Sequence, residues 1–466
     1  MASDVLQGRY TPSPGLDVAA EFIASQFREA GLEPGGDKDY FQTALFVERH
    51  MPPPTTDLTL HDGTKTIEVK PGSYVFSNSA KTETLRDIPV LLFAKRDLQA
   101  FKTADVKGKA IVVAQPNFRS MPEDQQEQAY SNMIAFDNLV AESGAAVEVV
   151  VSKDKPRPAS SRLLAADELS RHALPVIRTS DAELEEWLQH AAGTQPKTIT
   201  VEAPAPADRN VTLKNVIGML RGSDPNLKNT CVLLTAHYDH IGTAETAGRA
   251  AMSKPTATDR IYNGANDDGS GTVSVIEIAK AVAKLNPHPH RSIVFMTFFG
   301  EERGELGSKY YSRHPVCPIS ETVADVNLEQ VGRTDSTTGK QVNSASLTGY
   351  DYSNVTQYLA QAGRELGIKV YKDPEASDAY FTRSDNDALA QLGIPAHSLT
   401  VAFDFPDYHG VGDEWQKIDY ANMARVDRMV ALGILSIADS ASAPQWNANN
   451  PKTARFREAR QKSLSQ

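Results

Sequence analysis

The sequence predicts an α/β protein in which a central mixed, mostly parallel sheet is covered by helices on both faces and a small β-rich domain is inserted. Three observations carry this. Beyond residue 210, short runs that are apolar on both faces alternate with helical patterns, as a sheet covered on both sides requires. Residues 87–202 have apolar segments of their own, enough for an independent small core. The length of 466 residues exceeds the roughly 250 to 300 that one hydrophobic core usually serves.

Composition narrows the class. Hydrophobic residues make up 40% and charged residues 23%, the balance of a globular protein. A formal net charge of -11 argues against a nucleic-acid partner, which calls for a basic face. No run approaches the roughly 18 to 20 apolar residues that span a bilayer. Met1 to Val5 shows no charged segment followed by an apolar one, so a secretory leader is not expected there. Cys231 reads as a core residue and Cys317 as a loop residue, and two unpaired thiols are the expectation.

In chain order, Ala19, Phe22, Ile23 and Phe27 give one apolar helical face that stops at Gly31. Met51 to Pro54 breaks regular structure, and Leu58 to Leu60 and Thr66 to Val69 read as short strands, which closes an N-terminal part at residues 1–86. In the insert, Ile88 to Phe93, Ile111 to Val113, Ala145 to Val151 and Leu174 to Ile177 are strands. Ala135 to Ser143 and Ala182 to Ala192 are helices, the second capped by Ser180 or Asp181. The alternation of Ala and Pro from Ala203 to Ala207 reads as the exit linker.

Residues 203–440 form the larger domain. Asn215 to Leu220, Cys231 to Ala236, Ser292 to Phe299, Val323 to Leu328 and Ala396 to Val401 read as strands. Thr272 to Leu285, Ser353 to Leu366 and Ile418 to Ser436 read as helices. The remainder, 441–466, is polar and reads as a mobile tail.

Candidate chemistry gathers where these strands end. His237 follows one apolar strand, Glu301 and Glu302 a second, Glu329 a third, and ligands of an open α/β sheet lie outside the carboxyl ends of its strands. His409 lies in a Gly- and Asp-rich loop. Asp267 lies in Asn-Gly-Ala-Asn-Asp-Asp-Gly-Ser-Gly, where flanking small residues let the backbone turn sharply. By itself that stretch is an ordinary exposed turn; its neighbours make it a metal loop.

Imidazole and carboxylate ligands without thiolates suit Zn, Mn or Co. The two oxygens of Asp267 can bridge two ions about 3.5 to 4 Å apart. One ion would take His237 and Glu329, the other Glu302 and His409. Asp239, two residues beyond His237 on an extended segment, can accept that ring's other N–H. Of the adjacent Glu301 and Glu302, one ligates and the other is free to act as a base.

His-Tyr-Asp-His-Ile-Gly at 237–242, the Asp267 loop, Gly-Glu-Glu-Arg-Gly-Glu-Leu-Gly-Ser at 300–308, Asn-Leu-Glu-Gln-Val-Gly-Arg at 327–333 and Tyr-His-Gly-Val-Gly-Asp at 408–413 resemble, in order, the motifs of the co-catalytic di-zinc aminopeptidase family, which also includes glutamate carboxypeptidases. Ser384-Asp385 with Leu392 to Pro395 resembles its penultimate segment, and Asp4 to Gly35 the N-terminal segment of its bacterial secreted members. Val-Lys-Gly-Lys at 106–109 and Glu-Ser-Gly-Ala-Ala at 142–146 resemble its protease-associated insert.

The resemblance implies a zinc-exopeptidase fold, two Zn ions on His237, Asp267, Glu302, Glu329 and His409, Glu301 as general base, and a cis peptide at Asp267-Asp268. It further implies peptide substrates with a free N-terminus and a periplasmic or secreted location. Many members have Asp where Glu329 stands. Tyr408 either donates to a tetrahedral intermediate or simply packs.

Other residues read blandly: His240 as a loop or supporting residue, His288, His290 and His314 as solvated, Arg303 and Glu305 as surface pairs. The leading expectation is an aminopeptidase. Its rivals are a carboxypeptidase for C-terminal acidic residues, which needs Arg333 or Arg383 in the pocket, a one-zinc glutaminyl cyclase, and a non-catalytic peptide-binding domain. The insert is expected to control substrate access.

Overall fold

The computed structural model describes residues 1–63, 65–93, 95–156, 161–190 and 197–465. The chain divides into two compact units, Met1–Ala44 with Thr212–Gln466, and Leu45–Val211.

In the first unit, helix Pro14–Glu29 begins where the Ser13 hydroxyl accepts the Leu16 N–H at 3.1 Å. Its Leu16, Ala19, Ile23 and Phe27 are buried, whereas Phe22, counted on the apolar face, is 46% exposed. The sheet runs in the order Lys369–Tyr371, Ser344–Leu347, Ala396–Thr400, Thr322–Glu329, Cys231–His237, Ser292–Phe298 and Ala207–Leu220. Its three central pairings are parallel, and Ala207–Leu220 and Ser344–Leu347 join it antiparallel.

Alternate residues of the central strands serve opposite faces. Leu233, Val294 and Met296 pack with Tyr311, Phe381, Leu389 and Phe456. Towards the other face, helix Gly269–Val282 lies on Cys231–His237 and is itself packed by Tyr420–Asp439 and Pro14–Glu29.

Two expectations are corrected here. Cys231 and Cys317 form a disulfide. Cys231 opens its strand beside Thr322, so strand pairing brings together cysteines 86 residues apart, which spacing along the chain could not reveal. The tail is also ordered: helix Ala454–Ser465 docks through Phe456, whose ring stacks on Trp446 with centroids 4.8 Å apart. Phe456 is the buried residue of this helix, and one apolar anchor does not register as a periodic pattern.

The second unit has its own sheet, ordered Lys65–Val69, Leu58–Asp62, Lys197–Ala203, Glu83–Phe93, Ala110–Ala114, Val147–Val151, Val176–Thr179 and Tyr74–Asn78. It starts at Leu45 rather than at the expected residue 87, because the strands at 58–78 pair into this sheet. Helix Glu123–Glu142 begins well before the expected residue 135. Asp181 caps Ala182–His190 by accepting the Leu184 N–H at 3.0 Å. Among the described residues no helix is long and apolar enough to cross a membrane.

The fold yields two tests. Phe456→Ala should cost about 3 to 5 kcal/mol, the usual range for emptying a buried Phe site; an unchanged denaturation midpoint would return the tail to a mobile one. The second concerns Asp325, whose Oδ1 accepts from Thr235 at 2.9 Å while its Oδ2 has no partner. Burial pushes its pKa from 3.8 up to about 8. The folded state therefore keeps a proton that the unfolded state releases, and stability falls as pH rises between those values, by up to about 1.4 kcal/mol per pH unit. Asp325→Asn should flatten that fall; identical slopes for the two proteins in urea titrations at pH 5 and 8 would rule it out.

Candidate metal centre

Each ligand-type side chain is set by the end of an element. His237 and Glu329 are the last residues of the neighbouring parallel strands Cys231–His237 and Thr322–Glu329. After Ser292–Phe298, Gly300 turns at φ 70 into a short helical turn that presents Glu301 and Glu302. Asp267 precedes helix Gly269–Val282, whose cap Asp268 accepts the Gly271 N–H at 3.0 Å. The peptide between the two aspartates is cis. His409 lies in a loop at φ 50, with its Nδ1 2.9 Å from the Ala250 carbonyl. That contact makes Nδ1 the protonated nitrogen and turns Nε2 inward.

Asp267 stands at the centre. Its Oδ1 lies 3.3 Å from His237 Nε2, and its Oδ2 lies 3.1 Å from His409 Nε2. Glu329 Oε2 is 3.7 Å from His237 Nε2, and Glu302 Oε1 is 3.3 Å from His409 Nε2. Among the described residues, two groups of side chains have the spacing of an ion site: His240, Asp267, Glu302 and His409, and His237, Asp268 and Glu329. Asp239 Oδ1 is 3.5 Å from His237 Nδ1 and accepts the Glu301 N–H at 3.1 Å, while its Oδ2 accepts from Thr11 at 3.0 Å.

The electrostatics call for a cation. Burial works against ionising Asp267, yet the adjoining imidazoles hold it well below the usual carboxyl range. Burial would depress His409, but Asp267 and Glu302 raise it to about 11. His237 is likewise raised against its burial by Glu329, Asp239 and Asp267. Imidazoles raised so far report a surplus of negative charge, and a divalent ion would take the place of their protons. Burial, with Glu329, Glu302 and Asp385 nearby, pushes Glu301 well above its ordinary value.

Several supporting residues escape sequence reading. Arg9, fully buried, donates to the carbonyls of Tyr238, Asn263 and Gly264 at 2.7, 2.6 and 2.9 Å, tying the loop after His237 to the Asp267 loop. Nothing in the sequence links it to partners more than 220 positions away. Asp413 accepts the N–H groups of Asn266 and Asp267 at 3.0 and 3.1 Å. Ser384 donates to Glu329 Oε1, and Asn327 Nδ2 approaches the same oxygen at 3.4 Å. That leaves Oε2 to face His237. Asp413 and Ser384 stand in the quoted motifs, but only the fold gives them a role. Arg303, expected at the surface, instead donates to the Tyr10 hydroxyl and the Thr11 carbonyl.

A cavity of about 170 Å³ opens onto Asp267, Glu301 and Glu302, with Tyr380, Phe403 and Tyr408 among its walls. Arg383 lines it with its guanidinium 4.7 Å over the Tyr380 ring, whereas Arg333 is held by Asp335 and by Asp407 at 3.0 Å.

Residues 215–434 match the family model described as Peptidase family M28. Aminopeptidase YwaD of Bacillus subtilis (strain 168) is 27% identical over 414 residues, covering 82% of this chain and 77% of that protein. Probable leucine aminopeptidase 2 of Aspergillus oryzae is 24% identical over 280 residues, 54% of this chain, and the chain spans 50% of that relative's length. Among solved structures, the aminopeptidase from Aneurinibacillus sp. strain AM-1 has a TM-score of 0.51 at 19% identity, covering 93% of this chain and 90% of that one, a likeness of fold. The stretch that carries His237, Asp267, Glu302, Glu329 and His409 is thus the part of the chain that matches peptidase family M28.

Proposed function

We propose that this protein is a zinc-dependent aminopeptidase that removes N-terminal residues from peptides. One observation carries the reading: the two oxygens of Asp267 each face a different imidazole, at 3.3 and 3.1 Å, and each imidazole is backed by its own glutamate. Such a donor set would hold two ions, one on His237 and Glu329 and the other on Glu302 and His409, with Asp267 between them. Zn suits these ligands, with Mn or Co as substitutes. Bound there, the ions would supply the Lewis acidity that makes water acidic near neutral pH and polarises the scissile carbonyl.

The chain's own residues do the rest. Glu301 opens onto the cavity without belonging to either ligand group, so it is free to take the proton of the attacking water and deliver it to the leaving amine. Burial and the surrounding carboxylates raise Tyr408 above its ordinary value, which keeps its hydroxyl protonated as a donor to the developing oxyanion. Asp239 holds the Glu301 backbone and lies against His237, so it positions both. The surplus of carboxylates favours a substrate with a cationic N-terminus.

The second unit is read as a protease-associated insert. Export to the periplasm or outside the cell is supported by the Cys231–Cys317 disulfide. A carboxypeptidase for acidic C-termini would draw on Arg383, since Arg333 is engaged elsewhere. Two histidine and carboxylate sets argue against a one-zinc cyclase and against a binding module without catalysis.

Three outcomes test this. Leucine anilide should be cleaved, its N-acetylated form should not, and chelation should abolish cleavage with recovery on adding Zn; cleavage of the blocked substrate would reject the aminopeptidase reading. Glu301→Gln should lower kcat by at least about 10²- to 10⁴-fold with metal content unchanged; full activity would remove Glu301 from the mechanism. Ser384→Ala should weaken Zn binding by about 10- to 100-fold, the usual effect of losing a residue that orients a ligand. Unchanged affinity in a chelator competition would show that Glu329 needs no such support.

A further inference from the structure

His240 was expected to stay outside the ligand set, and its surroundings say otherwise. The residue is fully buried, and its Nδ1 lies 2.7 Å from Glu302 Oε1. Despite that approach, neither ring nitrogen of His240 nor Glu302 Oε1 has a hydrogen-bond partner of acceptable geometry. Two buried polar atoms pressed together without a directed N–H between them are costly unless a third species satisfies both. The remaining atoms identify that species. Glu302 Oε1 is also 3.3 Å from His409 Nε2, which is 3.1 Å from Asp267 Oδ2. One ligand atom from each of His240, Asp267, Glu302 and His409 falls within 4.8 Å of all the others.

The His240 ring has little freedom to turn away. A Cβ on Gly264 would sit 2.5 Å from its Cγ, so the metal loop's backbone is pressed against one side. The His409 ring meets it edge to face, with centroids 5.4 Å apart and an interplanar angle of 83°. Two imidazoles crossed in this way can aim their lone pairs at one point.

We propose that His240 is a fourth protein ligand, through Nδ1, of the ion held by Asp267, Glu302 and His409. This rests on the bridged-ion reading above and makes the two positions unequal. Two imidazoles and two carboxylates close a tetrahedral site, the pattern of structural zinc, while His237, Glu329 and the shared Asp267 leave a position open, the pattern of catalytic zinc. The closed site should fill first and empty last. The open coordination position that the reaction needs then belongs to the His237 and Glu329 side, beside Glu301.

The test begins with the crystal structure of the zinc-loaded wild-type protein, which does not depend on a variant folding. Nδ1 of His240 should lie about 2.0 to 2.1 Å from the ion beside Glu302 and His409. A separation beyond about 3 Å, with the N–H turned onto Glu302, would overturn the assignment and leave His240 a positioning residue. Absence of any ion between Asp267, Glu302 and His409 would instead overturn the bridged-ion reading itself. In solution, two zinc-binding steps should be resolved by chelator competition, and His240→Asn, checked for folding by circular dichroism, should weaken the tighter one more than about 100-fold. A smaller loss is what an orienting residue gives and would count against ligation.

Discussion

The constraint on which this structure turns is the concentration of negative charge at one edge of a buried sheet. Asp267 and Glu302 stand in one side-chain group with His240 and His409, Asp268 and Glu329 in a second with His237, and Asp267 also faces His237. In a low dielectric such a group repels itself strongly. The chain offers no lysine or arginine as a direct partner to the central carboxylates among the described ion pairs. Compensation is left to the imidazoles and to ions, which is why the histidines are driven so far above their ordinary values.

Holding such a site open to ions requires a rigid frame, and the frame is built largely from backbone groups. Arg9 joins carbonyls of two loops, Asp413 gathers the N–H groups of Asn266 and Asp267, and Asp268 accepts from Gly271 and Gln330 at 3.0 Å each. Buried charge is here hydrogen-bonded to peptide groups rather than spent on surface pairs, where it would contribute little. A second network reaches Glu329 from behind: Thr235 donates to Asp325 and Asn327, and Asn327 donates to Ser384 and Ser398 at 2.9 and 3.0 Å. The longer arm of a glutamate at this position is thereby fixed by partners on a neighbouring strand and loop. A side chain with more rotatable bonds serves as a ligand only when its surroundings remove that freedom.

The frame also separates roles between adjacent residues. Glu301 and Glu302 follow one strand, share one short turn and both line the cavity, yet Glu302 joins a ligand group and Glu301 does not. The turn after Gly300 makes the difference, because a left-handed glycine lets the chain leave the sheet before either carboxylate is placed. Opposite pKa directions follow from the same separation. Glu302 is drawn down to about 2 by the imidazoles it touches against the cost of its burial, while burial and neighbouring carboxylates push Glu301 up.

The sequence by itself determined the α/β sheet with helices on both faces, since burying a strand on both sides demands an unbroken apolar run. It also marked which residues would follow those strands, and therefore that His237, Glu301, Glu302 and Glu329 would share one edge. Tertiary structure alone decided the rest. It brought Arg9 to carbonyls of two distant loops, joined Cys231 to Cys317 through strand pairing, moved the strands at 58–78 into the second unit, and docked the tail by Trp446 and Phe456. It also turned His240 towards Glu302, a contact that a residue three positions after His237 does not announce. The physical reason is common to all of these. Local pattern reports which face of an element is apolar, whereas contacts between elements depend on register and loop geometry, and these exist only once the sheet has closed its core.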